Sequence, residues 1–187
     1  MKTRNQDTAL LVMDMQSAII GSLPNPSVVT SGVAKAITYA RSNSIPVLYV
    51  IVGFRQGMPE ISPNNVAFSG SRERMAAIGA EEWMKIHPDV MPLADEPVIV
   101  KRRVSAFTGS DLEVILSAKG IQHIILTGVI TSGVVLSTTR EAADKDYRIT
   151  ILSDACADRD DEVHRVLTTK VFPRQAEVMT VGEWARV

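Results

Sequence analysis

Two rhythms of apolar residues alternate along the chain. Short β-branched or aliphatic runs at 8–14, 46–52, 97–101, 123–129, 148–153 and 177–181 read as strands; between them, segments 27–42, 109–119, 132–145 and 160–171 repeat their apolar side chains at helical spacing. In the first helical segment Val29, Val33, Ala36, Ile37 and Ala40 fall on one face, the face that would cover a sheet. Strands apolar along their whole length and joined by helical crossovers predict a parallel sheet buried on both sides. The expected fold is therefore α/β, three layers (α/β/α) around a six-stranded, mainly parallel, Rossmann-like sheet.

The rhythm breaks between Gly53 and Pro97, where many of the Gly and Pro residues gather and only short helices, at 71–78 and 80–85, are predicted. A connection of that length in a compact domain is usually a lid, a binding loop or a subunit contact, and we expect a lid or a contact. With 187 residues, 45% of them hydrophobic, the chain can bury about 70% of the surface its unfolded form exposes. One domain spanning 1–187 is expected.

Charge changes the picture mainly by exclusion. Twenty basic against 21 acidic residues, with no long block of either sign, argue against nucleic acid or a membrane surface as partner. Apolar runs such as 9–13 and 121–126 are far shorter than the roughly 20 residues a bilayer span needs, and the first residues lack the apolar core of a secretory signal. A single cysteine, Cys156, excludes an internal disulfide, so the expected compartment is the cytoplasm.

In open parallel sheets, ligands bind beyond the carboxyl ends of the strands, where strand order reverses. Asp14 closes one apolar strand and Lys101 another. Taken alone, each is as readily a turn cap or part of a solvated flank such as Lys101-Arg102-Arg103. A third segment, Thr127-Gly128-Val129-Ile130-Thr131-Ser132-Gly133-Val134, leaves a strand through a glycine and bends through small polar residues into a helix. The backbone N–H groups of such a turn are suited to hold an oxyanion or a carboxylate.

In these residues the chain resembles the isochorismatase-like cysteine hydrolase family over nearly its whole length. The resemblance is carried by Leu11-Val12-Met13-Asp14-Met15-Gln16, by Lys101 with Ser105-Ala106-Phe107-Thr108-Gly109, by 127–140, and by Ile151-Leu152-Ser153-Asp154-Ala155-Cys156-Ala157-Asp158. It implies the isochorismatase-like hydrolase fold, a catalytic Asp at Asp14, a catalytic Lys at Lys101 and a non-proline cis peptide between Val129 and Ile130. Gln16, Phe107, Ile130 and Gly133 would contact substrate. Amidases of the family place a nucleophilic Cys where this chain has Val134, and a valine side chain can neither ionise nor form an acyl intermediate. Cys156 follows a different strand, which makes a buried, inert thiol the expected reading.

His87, His123 and His164 are widely separated and none follows Asp14 at ligand-like spacing, so no metal and no cofactor is expected. Phe54 and Phe68 could join Phe107 in an apolar pocket wall, and Arg55 could meet a substrate carboxylate. The resemblance also implies a homo-oligomer acting on a small molecule.

Three functions stay open. One is a thiol-independent hydrolase, resembling the isochorismatases that cleave a vinyl ether with an aspartic acid as proton donor, although those usually carry Tyr-Ala-His where this chain has Ile130-Thr131-Ser132. The second is a weakened former cysteine amidase that binds an amide or carboxylate, towards which Thr131-Ser132-Gly133 leans. The third is an assembly protein using the 53–97 excursion and Trp83 at an interface.

Overall fold

The computed structural model describes residues 7–186. Six strands form one sheet: β1 (Thr8–Met13), β2 (Val47–Val52), β3 (Val98–Lys101), β4 (His123–Val129), β5 (Arg148–Ala157) and β6 (Glu177–Met179). Their order is β3-β2-β1-β4-β5-β6, and every pair is parallel. After β3 the chain returns past β1 to lay β4 on its other side, so strand order reverses at β1 and the residue that follows it, Asp14, stands at the switch point.

Side chains of β1 divide between two cores, as the period of two requires. Ala9, Leu11 and Met13 enter one, which includes Leu112 and Leu116 of α6 (Leu112–Ala118), Ala142 of α7 (Leu136–Asp144) and Phe172. Leu10 and Val12 enter the other, with Val29, Val33, Ala36, Ile37 and Ala40 of α2 (Pro26–Ser42) and Val181 and Trp184 of α9 (Val181–Trp184). Each such Leu or Val side chain stabilises the fold by about 1.5–3 kcal/mol relative to exposure. The three expected layers are present.

Helix α2 starts with Pro26, whose missing N–H costs nothing at a helix start, and ends before Ser44, which turns the chain at φ 56°. Gly32 brings it down onto β5: a β-carbon there would lie 2.1 Å from the Asp154 carbonyl oxygen. Backbone therefore packs on backbone, close behind the strand that leads to Cys156 and Asp158.

Several boundaries move from the sequence expectation. The last strand stops at Met179 because Thr180 opens a capping box, accepting from the Glu183 N–H while the Glu183 carboxylate accepts from the Thr180 N–H. The helix expected at 132–145 begins instead as a wide π turn, Thr131–Val135, and the one expected at 160–171 is α8 (Asp161–Val166) followed by a second π turn, Leu167–Val171. β5 runs on to Ala157, its pairing with β4 shifting register between Leu126 and Gly128. A short α1 (Ser17–Ile20) directly after Gln16 had no sequence signal.

The excursion from Gly53 is built from α3 (Val66–Ser69), α4 (Arg72–Ile78) and α5 (Ala80–Trp83) around a small core of its own, Val52, Phe54, Ile61, Met75 and Trp83. It is fastened at both ends. Near its start the Trp83 indole N–H donates to the Val52 carbonyl; near its close Arg41 of α2 grips Glu96 through two N–H···O bonds of 2.9 and 2.7 Å.

Candidate active site

The end of β1 brings a carboxylate and an ammonium together. Asp14 Oδ2 lies 2.9 Å from Lys101 Nζ, and the two residues expose only 6% and 1% of their surface. The pairing follows from topology: β1 lies beside β2, β2 beside β3, and Val52 is in register with Lys101. Asp14 takes a left-handed φ of 54°, which Asp tolerates better than most residues, and its N–H donates to the Val50 carbonyl. The Lys101 ammonium also donates to the Arg103 carbonyl at 3.0 Å. That carbonyl acts through backbone alone, so no residue type could have signalled it.

Asp14 Oδ1 is buried and has no hydrogen-bond partner among the described residues. Burial pushes the Asp14 carboxyl above its ordinary value, and the Lys101 charge and hydrogen bond pull back only part of the way. A carboxyl held in that state keeps its proton for longer as pH rises.

Gln16, expected to touch substrate, is fully buried and engaged elsewhere. Its amide nitrogen donates to the carbonyls of Val52 at 3.0 Å and Trp83 at 2.6 Å, and its oxygen accepts from the Val52 N–H at 2.8 Å. All its strong donors and its acceptor are used, which makes it a strut between β1, β2 and the excursion. Phe107 does not join Phe54 and Phe68. Its ring packs against Tyr147 with centroids 5.8 Å apart, whereas Phe54 meets Phe68 edge-on at 5.2 Å in the excursion core. Arg55 pairs with Glu60 at 2.7 Å.

On the far side of β1, β4 ends in a cis peptide between Val129 and Ile130. Gly128, at φ 117°, is required by contact: a β-carbon would lie 1.9 Å from the Met13 carbonyl oxygen. In the turn that follows, the Ser132 N–H donates to Asp158 at 2.7 Å and the Gly133 N–H to the Ile130 carbonyl at 3.0 Å. Those two N–H groups are therefore occupied by the protein rather than open to a ligand. Ile130 packs against the α2-side core, and Val134 is buried in the opposite one.

Cys156 pairs in register with Gly128 and is buried, its thiol 3.8 Å from the Leu126 carbonyl oxygen. Burial pushes its pKa up to about 12, so the thiol stays protonated at neutral pH. The three histidines are dispersed: His87 near Asp89, His123 between Thr8 and Thr150, His164 on Thr131. Among the described residues no group of three or more His, Cys, Asp or Glu side chains could hold a metal ion, and no helix is long and apolar enough to cross a membrane.

A family model for the isochorismatase domain matches residues 8–183. The chain belongs to the isochorismatase family. Among curated relatives, the uncharacterised isochorismatase family protein YecD of Escherichia coli O157:H7 is 32% identical over 180 residues, covering 94% of this chain and 93% of that protein. Among solved structures, an isochorismatase family protein from Burkholderia thailandensis superposes with a TM-score of 0.82 at 26% identity, covering 98% and 97% of the two chains. N-carbamoylsarcosine amidase from Thermoplasma acidophilum gives 0.77 at 26%, covering 94% and 96%. The isochorismatase-family fold is thus present from β1 to α9, and the protein is a hydrolase of that family.

Proposed function

We propose that this isochorismatase-family hydrolase cleaves a small enol ether or related substrate without a cysteine nucleophile, with Asp14 as the acid and Lys101 as its electrostatic partner. The observation that carries the reading is the buried Asp14–Lys101 pair with one carboxyl oxygen unpartnered and a raised Asp14 pKa. A general acid must hold its proton at working pH and release it to a reacting atom within reach. In the step proposed, the Asp14 carboxyl gives its proton to the vinyl carbon. Water adds to the resulting oxocarbenium carbon and gives one proton to the Asp14 carboxylate, restoring the acid; the hemiketal then collapses to the ketone as its C–O bond to the leaving group breaks, the hemiketal hydroxyl proton passing to the departing oxygen. Lys101 offsets the negative charge Asp14 carries between those steps. No thiol enters, in keeping with Val134 in the turn after β4 and a protonated, buried Cys156.

The test is direct: isochorismate is incubated with the protein and pyruvate is followed. Pyruvate release that disappears in Asp14→Asn supports the reading, and no release above that variant rejects it.

A second reading, a weakened amidase that binds an amide or carboxylate, is favoured by the likeness to N-carbamoylsarcosine amidase. Val134 is close to cysteine in size, so the packing around it can persist without the chemistry. Gain of amidase activity in Val134→Cys across a panel of small amides supports that ancestry; silence across the panel counts against it.

A further inference from the structure

Beyond Met13 the ladder between β1 and β2 is completed by a side chain. Leu10 and Asp14 donate their N–H groups to the Pro46 and Val50 carbonyls at 2.9 and 2.8 Å, as evenly spaced steps of a parallel pairing. The next two bonds of that pairing belong to the Val52 N–H and carbonyl. Both go to the Gln16 side chain: Oε1 accepts from the Val52 N–H at 2.8 Å, and Nε2 donates to the Val52 carbonyl at 3.0 Å. The amide does there what a peptide group of a longer β1 would do. Asp14, at φ 54°, can therefore leave the strand while its carboxyl meets Lys101 at 2.9 Å.

We infer that Gln16 is a positioning residue for Asp14: by taking the Val52 N–H it keeps that donor from the Asp14 carboxyl and leaves Lys101 as the main partner there. The inference rests on the reading of Asp14 as the acid.

The Val52 peptide is placed for this role. It stands in register with Lys101 and is close enough to the carboxyl to act on it. Burial raises Asp14 most, the charge and hydrogen bond of Lys101 oppose it, and the Val52 backbone adds the smallest downward pull. Asp14 Oδ1, buried and without a partner among the described residues, is the oxygen a released N–H could join. A hydrogen bond to a carboxylate favours the ionised form, so withholding a donor lets the carboxyl keep its proton to higher pH. The direction of the Gln16 amide is fixed as well. Its nitrogen lies between two carbonyls, that of Val52 and that of Trp83 at 2.6 Å, so its oxygen is the end that faces the Val52 N–H.

The test follows the Asp14 carboxyl carbon by NMR across pH, its resonance assigned by its disappearance in Asp14→Asn. Gln16→Met leaves the Val52 N–H without its acceptor, and the turn of that N–H to the carboxylate is expected to lower the Asp14 midpoint by about one pH unit. Gln16→Glu keeps an acceptor for the N–H. When protonated it also keeps a donor, and when ionised it adds a like charge, so the Asp14 midpoint should stay at or above that of the unaltered chain. A purely structural Gln16 would lower the urea midpoint in both variants and leave the Asp14 titration in place. An unmoved Asp14 midpoint in Gln16→Met, or an equal fall in Gln16→Glu, would overturn the inference. Should Gln16→Met fail to fold, the unaltered protein decides: a through-hydrogen-bond coupling between the Val52 nitrogen and the Gln16 side-chain carbonyl carbon is expected on both sides of the Asp14 titration, and its loss when Asp14 ionises would overturn the inference. None of these readouts needs substrate. In the pyruvate assay the alkaline limb should move down with the carboxyl in Gln16→Met; a moved carboxyl with an unmoved limb counts against Asp14 as the acid and leaves the role of Gln16 standing.

Discussion

Replacing Gln16 by Met separates a strut from a substrate contact. Methionine is of similar length and unbranched, so the volume is nearly kept while three hydrogen bonds are removed: those to the Val52 and Trp83 carbonyls and that from the Val52 N–H. The Val52 carbonyl keeps its bond from the Trp83 indole, but the Val52 N–H and Trp83 carbonyl lose these partners in a buried setting. At about 1 kcal/mol net for the bond whose acceptor stays satisfied, and about 1–3 kcal/mol for each of the two groups left unsatisfied, the loss comes to about 3–7 kcal/mol. With a urea slope of about 2 kcal/mol per molar, the unfolding midpoint falls by about 1.5–3.5 M. Equilibrium urea unfolding followed by far-UV circular dichroism measures this. A midpoint lowered by less than about 0.5 M, together with lost turnover, would refute the strut and return Gln16 to the substrate.

Other perturbations have equally definite outcomes. Gly128→Ala places a methyl against the Met13 carbonyl oxygen of the neighbouring strand and is expected to cost more than about 4 kcal/mol, read as loss of soluble folded protein. Cys156 should resist a thiol reagent at pH 8 and react only once urea opens the fold, and Cys156→Ser should leave activity unchanged. Because the native Asp14 pKa lies above the ordinary 3.8, native and unfolded chains both hold the proton well below that pH. The unfolded chain then releases it first, and stability falls as pH rises until the native pKa is passed. Asp14→Asn should remove that fall, seen as a flatter dependence of unfolding free energy on pH. Replacing Asp14 and Lys101 together with Leu and Met is expected to be neutral or stabilising by about 1–4 kcal/mol. Lys101→Met alone leaves a buried carboxyl without its partner and should destabilise.

The sheet was legible because most of its strands are short apolar runs, and β1, buried on both faces, carries no alternation to blur it. Asp14 and Lys101 stood out for the complementary reason: charges at the ends of such runs. The rest lies in interactions without a residue signature. Gln16 in a strand-end motif looks the same whether its amide faces a ligand or two backbone carbonyls. Gly133 looks available until the Ile130 carbonyl is seen to take its N–H. The π turn at Thr131–Val135 repeats apolar residues closely enough to pass for the first turn of α7. Only the Thr180–Glu183 capping box, which cut β6 short, carried a pattern that sequence could have supplied.

The excursion's fastenings, among them Trp83 on Val52, Gln16 on Trp83 and Arg41 on Glu96, bear on how the protein can change over evolutionary time. A segment with its own small core can accept new side chains at the exposed Arg72 and the half-buried Met58 with little consequence for the carboxyl and ammonium beyond β1 and β3. Selection can therefore vary what the molecule admits while inheriting its chemistry intact. The same division makes 53–97 the natural cassette for a designed library, bounded by Gln16 on one side and Glu96 on the other.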